Sequence, residues 1–127
     1  MCYDCSRRLA WRAQVWRVEF YSDTSGTEPV KNFVVAQDYK HRVKILRAFQ
    51  LLQEFGPLLR EPHAKHVGGG LWELRIRSGR NAYRILYFLH ADGAFVLLHA
   101  LQKKQHRLPP GDIEIAEKRR ADHLSRR

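Results

Sequence analysis

Hydrophobic and polar positions change period several times along the chain, and each change marks an element. In VWRVEFY, residues 15–21, Trp16, Val18 and Phe20 alternate with Val15, Arg17, Glu19 and Tyr21. That period of two predicts a strand. SDTSGTEP, 22–29, reads as a turn in which Thr27 or Glu28, followed by Pro29, opens a helix with Val30, Phe33 and Val34 on its apolar face. Residues 40–55 carry Val43, Leu46, Phe49, Leu52 (with Leu51) and Phe55 every three or so positions and predict a second helix. Gly56-Pro57 ends it, and the two helices are expected to pair as an antiparallel hairpin.

REPHAKHVGGG, 60–70, reads as a loop. Its glycine triplet lacks the lysine and serine of a phosphate-cradling loop. Three strands follow. In LWELRIR, 71–77, Trp72, Leu74 and Ile76 face one way and Glu73, Arg75 and Arg77 the other. AYRILYFLH, 82–90, and AFVLLHALQ, 94–102, are almost wholly apolar; the second is expected at the sheet centre, and Asp92-Gly93 turns one into the other. Residues 112–124 predict a last helix with Ile113, Ala116, Ala121 and Leu124 on one side. The order β-α-α-β-β-β-α predicts an α+β fold, a small antiparallel sheet packed against an N-terminal helical hairpin with a C-terminal helix. Residues 1–14 show no period and read as an N-terminal extension to a single domain over 15–127.

Composition narrows the function. A chain of 127 residues with 44% hydrophobic content builds one core without staples. No apolar run approaches the ~18–20 residues that span a bilayer, and no leader pattern stands at the start, so a cytoplasmic protein is expected. Cys2 and Cys5 have the spacing of half a zinc site but no second pair, so neither metal nor cofactor is expected. Net charge is +10, and 16 of 23 basic residues are arginine, which favours an anionic partner.

The cations concentrate in the sheet. Arg75, Arg77, Arg80 and Arg84 fall within ten positions beside Glu73, while Lys103, Lys104, His106 and Arg107 follow the third apolar strand. In a meander these groups gather on one face, with Lys65 nearby, because cross-strand neighbours lie about 5 Å apart. Such a cluster binds phosphates. RNA cleavage by 2′-OH attack needs little more: a group to take a proton, cations to hold the growing phosphorane charge, and a group to return a proton. Plain anion binding and a surface ion pair at Glu73 are the competing readings. Among the histidines, His106 stands beside the lysines, His99 reads as a hydrogen-bonded core residue, His90 ends a strand, and His63 and His66 share a loop without a third ligand.

The ordered set Glu28-Pro29-Val30 with Phe33, LLQEFGP (51–57), GLWELRIR (70–77), YRILYF (83–88) and LLHALQKKQ (97–105) with Pro109 resembles the RelE/ParE superfamily of toxins, in its HigB-like, phage-derived branch. The resemblance covers residues 15–124. It implies a type II toxin–antitoxin pair with an Xre-type helix-turn-helix antitoxin, and ribosome-dependent cleavage of mRNA. By position it implies a catalytic set of Arg75, Arg84, Lys103 and Lys104, with Glu73 where relatives have a lysine, so that Glu73 or a basic residue is the candidate general base. No tyrosine follows Tyr87, and His106 is the candidate substitute for the C-terminal tyrosine of some relatives. Arg77, Arg80, Arg107 and Lys65 are expected to touch RNA. ParE-type relatives act on DNA gyrase instead, and a non-catalytic basic module is the third possibility.

Overall fold

The computed structural model describes residues 15–103 and 107–126. Strand β1 (Arg17–Phe20) comes first, followed by helices α1 (Pro29–Val35) and α2 (Tyr39–Phe55). A 3-10 turn at Gly56–Leu58 leads to β2 (Ala64–Gly68), β3 (Leu71–Ser78), β4 (Asn81–Leu89) and β5 (Ala94–Lys103), and α3 (Pro110–Ser125) closes the order. The strands form one five-stranded sheet in the order β1-β5-β4-β3-β2.

Short turns make the consecutive pairs β2–β3, β3–β4 and β4–β5 antiparallel. At the β4–β5 turn, the Asp92 carboxylate accepts the Ala94 N–H at 3.0 Å, and the His90 N–H donates to the Ala94 carbonyl at 2.8 Å. β1 is different. Both helices separate it from the other strands, and it returns parallel to β5 with Arg17 opposite Ala94 and Phe20 opposite Leu97. The sheet is therefore mixed, and a strand precedes the helical pair. Both facts correct the expectation of an antiparallel sheet behind an N-terminal hairpin. Alternation identifies a strand but carries no direction, and partners far apart in sequence leave no turn signal.

Two apolar clusters hold the sheet between its helices. On one face Leu74, Ile76, Tyr83, Ile85 and Leu97 pack against Val30 and Val34 of α1 and Ile45, Phe49 and Leu52 of α2. On the other, Leu71, Leu86, Phe88, Val96 and Leu98 lie with Ala116 of α3 and Tyr21.

The buried stripe of α2 is Ile45, Ala48, Phe49 and Leu52, while Val43 and Leu46 are each 44% exposed. Steps of three residues drift around a 3.6-residue helix, so the expected row leaves the core side within two steps. Where a loop is expected over 60–70, β2 is a five-residue edge strand with Lys65 and His66 exposed; it lacks the two-sided apolar pattern that marks an inner strand. In α3 only Ala116 is buried, and Ala121 and Leu124 face out. Polar contacts do much of the docking instead. The Asp112 carboxylate meets His99 Nε2 at 2.6 Å, Arg119 Nη1 donates to the Leu98 carbonyl at 2.8 Å, Arg120 Nη1 donates to the Gly69 carbonyl at 2.6 Å, and the Tyr21 hydroxyl donates to Asp122 at 2.5 Å. The expected stop at Gly56 holds: its φ of +55° caps α2.

Candidate active site

α3 meets its face of the sheet near Leu98, His99, Phe88 and Tyr21. The same face continues past it onto charged positions. Alternation puts Glu73, Arg75 and Arg77 of β3 on this side, and register sets Arg75 opposite Arg84, Arg84 opposite Leu101, and Ala82 opposite Lys103. Lys65 of β2 stands opposite Glu73.

At the centre is a buried carboxylate, with the Glu73 side chain only 5% exposed. Its Oε2 lies 3.4 Å from Arg75 Nε and its Oε1 lies 3.6 Å from Arg84 Nε. Both separations exceed the about 2.7–2.9 Å of a charge-assisted hydrogen bond. Glu73 Oε1 and both Nε atoms are buried without a hydrogen-bond partner. Such atoms lose hydration and keep in its place only the charge attraction of their neighbours. Arg75 also reaches Glu61 at 3.3 Å, and Arg84 Nη1 donates to the Tyr83 carbonyl at 3.1 Å. Burial lowers the pKa of the Arg84 guanidinium; Glu73 opposes this, and Arg75 and Arg77 add to it. Lys103 is shifted the same way, by burial first and then by Arg84, with Glu73 opposing and Arg75 and Lys65 adding. Glu73 is thus not part of a surface ion pair.

Beside this cluster a cleft of about 580 Å³ opens between α2 and the β3–β4 hairpin. Lys44 and Arg47 line it from the helix, Arg75, Arg77 and Arg84 from the strands, and His63 from the segment before β2. Ala48, Leu51, Pro62 and Ile76 supply apolar surface. The His63 carbonyl accepts the Arg75 N–H at 2.8 Å, which fixes that segment to β3. A polar network ties the start of α2 to the hairpin: His41 Nδ1 meets Ser78 Oγ at 2.7 Å, Asn81 Nδ2 meets His41 Nε2 at 3.2 Å and donates to the Tyr83 hydroxyl at 3.1 Å, and that hydroxyl donates to Gln37 at 3.2 Å. With Asn81 donating to Nε2, the imidazole proton sits on Nδ1 and Ser78 accepts it, an arrangement that joins elements rather than activating a nucleophile.

The structure brings together Glu73, Arg75, Arg77, Arg84, Lys103 and Lys65 of the expected residues. Arg80, at the β3–β4 turn, and Arg107, after β5, are exposed and do not line the cleft. Lys104 and His106 lie outside the described residues, as do Cys2 and Cys5. Lys44 and Arg47 carry no signal in the sequence: the expected apolar row on this helix matches the core at Phe49 and Leu52 but not at Val43 and Leu46, and nothing local marks the two cations as facing the hairpin. Among the described residues no group of three or more His, Cys, Asp or Glu side chains is placed to hold a metal ion, and no helix is long and apolar enough to cross a membrane.

Fold and site together define a small basic α+β protein with a cationic cleft beside a buried arginine–carboxylate cluster. The family described as "Phage derived protein Gp49-like (DUF891)" matches residues 32–121, a span that contains every residue lining the cleft, and the chain belongs to this toxin-like family of toxin–antitoxin systems. No curated protein matches the chain.

Proposed function

We propose that this chain is the toxin of a type II toxin–antitoxin pair and that it inhibits translation by cleaving mRNA on the ribosome. Family membership supports the toxin role and implies an antitoxin partner. The RelE-like, HigB-like character and an Xre-type antitoxin rest on the sequence resemblance. The observation that carries the chemistry is the pair of arginines set across β3 and β4 around buried Glu73.

In this reading a scissile phosphodiester sits over Arg75 and Arg84. The neighbouring 2′-OH attacks phosphorus, the bond to the 5′-oxygen breaks, and the guanidinium groups hold the added negative charge of the phosphorane. Fixed donors cost no reorganisation at that moment, and Glu73, in ion-pair reach of both arginines, keeps the two guanidinium groups side by side. Both Glu73 oxygens are turned onto cations, so its role is positioning. Proton transfer falls to Lys103, with Lys104 and His106 as the further candidates. Burial and neighbouring cations bring the Lys103 ammonium nearer the range in which an amine exchanges protons.

The test is induced expression of wild type and Arg84→Ala, with mapping of mRNA 5′ ends. New ends inside translated frames with wild type, absent with Arg84→Ala while antitoxin binding persists, are the expected result. Growth arrest with intact mRNA would redirect the reading to gyrase. No arrest would leave a basic binding module.

A further inference from the structure

We infer that Lys44 and Arg47 of α2 form a second phosphate-binding wall, which holds the RNA backbone at a nucleotide flanking the one at Arg75 and Arg84. The inference rests on the proposed RNA substrate and extends the site from the sheet to helix α2.

Three observations carry it. First, the two side chains share the cleft with Arg75, Arg77 and Arg84, and every charged residue lining it is a cation. Glu73 and Glu61 engage the arginines from outside that lining. Second, the charges on α2 are arranged against the helix's own stability. Lys40, Lys44 and Arg47 follow at spacings of four and three, so like charges stand one turn apart. The first turn carries Lys40 and no acidic residue; the N-cap residue Asp38 has the favourable sign for the positive end of the helix dipole, but its side chain makes no capping hydrogen bond. A ligand anion along this row relieves a repulsion that the isolated fold must tolerate. Third, no carboxylate among the described residues lies in an ion pair with Lys44 or Arg47; Arg47 Nη1 has only Gln50 Oε1, at 3.5 Å. The cleft floor of Ala48, Leu51, Pro62 and Ile76 offers an apolar bed for a sugar or base face between the two cationic walls.

The experiment uses a short single-stranded RNA in which 2′-deoxy substitution prevents cleavage, and follows its binding by the full chain across a salt series. Lys44→Gln/Arg47→Gln is compared with wild type and with Lys31→Gln/Lys118→Gln, which removes the same charge at two sites paired with Glu28 and Glu114 outside the cleft. The expected result is binding weakened roughly tenfold for the cleft variant, with the slope of log affinity against log salt reduced by about 1.4, at about 0.7 per phosphate contact. The control stays close to wild type. The melting temperature of the cleft variant holds or rises, because a repulsion has been removed. Equal losses in the two variants mean a general charge effect and overturn the inference. So does an unchanged slope with weakened antitoxin binding, which assigns the wall to a protein interface. A fall in melting temperature that accounts for the lost binding also overturns it. If wild type binds no RNA while its antitoxin complex forms, the parent reading itself fails, an outcome distinct from the others.

Discussion

At the residue scale the molecule turns on Glu73. A carboxylate with two arginines around it, all largely buried, costs more to break than to keep, because removing one partner leaves the others desolvated and unmatched. Glu73→Gln is expected to lower stability by about 2–4 kcal/mol in urea unfolding. Arg84→Gln should then cost at least about 1 kcal/mol less in the Glu73→Gln background than in wild type, a coupling that a double-mutant cycle reads directly. Additive losses would show that the two groups do not share a site. The sequence made this cluster visible because period two puts residues 73, 75 and 77 on one face whatever else happens, and a one-residue turn error would have moved all three together. Burial of Glu73 was not visible, since charge on a strand reads as solvent-facing until both neighbouring strands are in place. Lys44 and Arg47 stayed hidden for a related reason: which side of a helix faces a cleft is set by tertiary docking.

At the element scale α2 and α3 are fastened in opposite ways. α2 is seated by large apolar side chains and ends at Gly56. A Cβ built there would fall 2.4 Å from the Trp16 ring nitrogen, on a backbone with φ of +55°. Gly56→Ala thus meets both a strained conformation and an occupied space; a loss of about 1–3 kcal/mol is expected, with a shift in Trp16 fluorescence as the ring moves. α3 relies on charge and hydrogen bonds, which makes it sensitive to pH. The Tyr21 hydrogen bond, aided by Arg126, holds the Asp122 carboxyl below its ordinary value against a smaller opposing effect of burial. That contribution is complete above the unfolded value of about 3.9 and is lost as pH falls through the lowered one. Tyr21 is pushed up, by burial first and then by Asp122. Its contribution is complete below the unfolded value of about 10 and is lost as pH rises through the raised one. The Ala116 methyl resonance, beneath α3, should move as pH falls below about 4 and again as it rises above about 10. A constant shift into acid would show that Asp122 does not help to seat the helix.

At the scale of the whole molecule, β5 joins everything. It pairs with β1 on one side and β4 on the other, and Leu97 contributes a fully buried side chain to its helix-facing core. Leu97→Ala is expected to cost about 2–5 kcal/mol and to unfold the sheet as a unit rather than at one edge, measured as coincident loss of helix and aromatic circular-dichroism signals. The class of the fold and an inner place for the 94–102 strand followed from apolar runs and turn residues, although the middle strand of the sheet is β4. The direction of β1, the existence of β2 and the seating of α3 did not, because each depends on contacts between segments far apart in the chain. That separation has a bearing on how the protein is made. β1 is among the first described segments to leave the ribosome, yet among the described residues it pairs with β5 alone, whose last residue is Lys103. Chains emerge at about 5–20 residues per second, so β1 waits several seconds for the strand that completes the sheet. An interrupted product that stops before Ala94 has cations but no closed sheet to aim them. For a protein proposed to act against translation, lateness of assembly becomes a form of safety: the ribosome that makes it finishes the work before the product can turn on it.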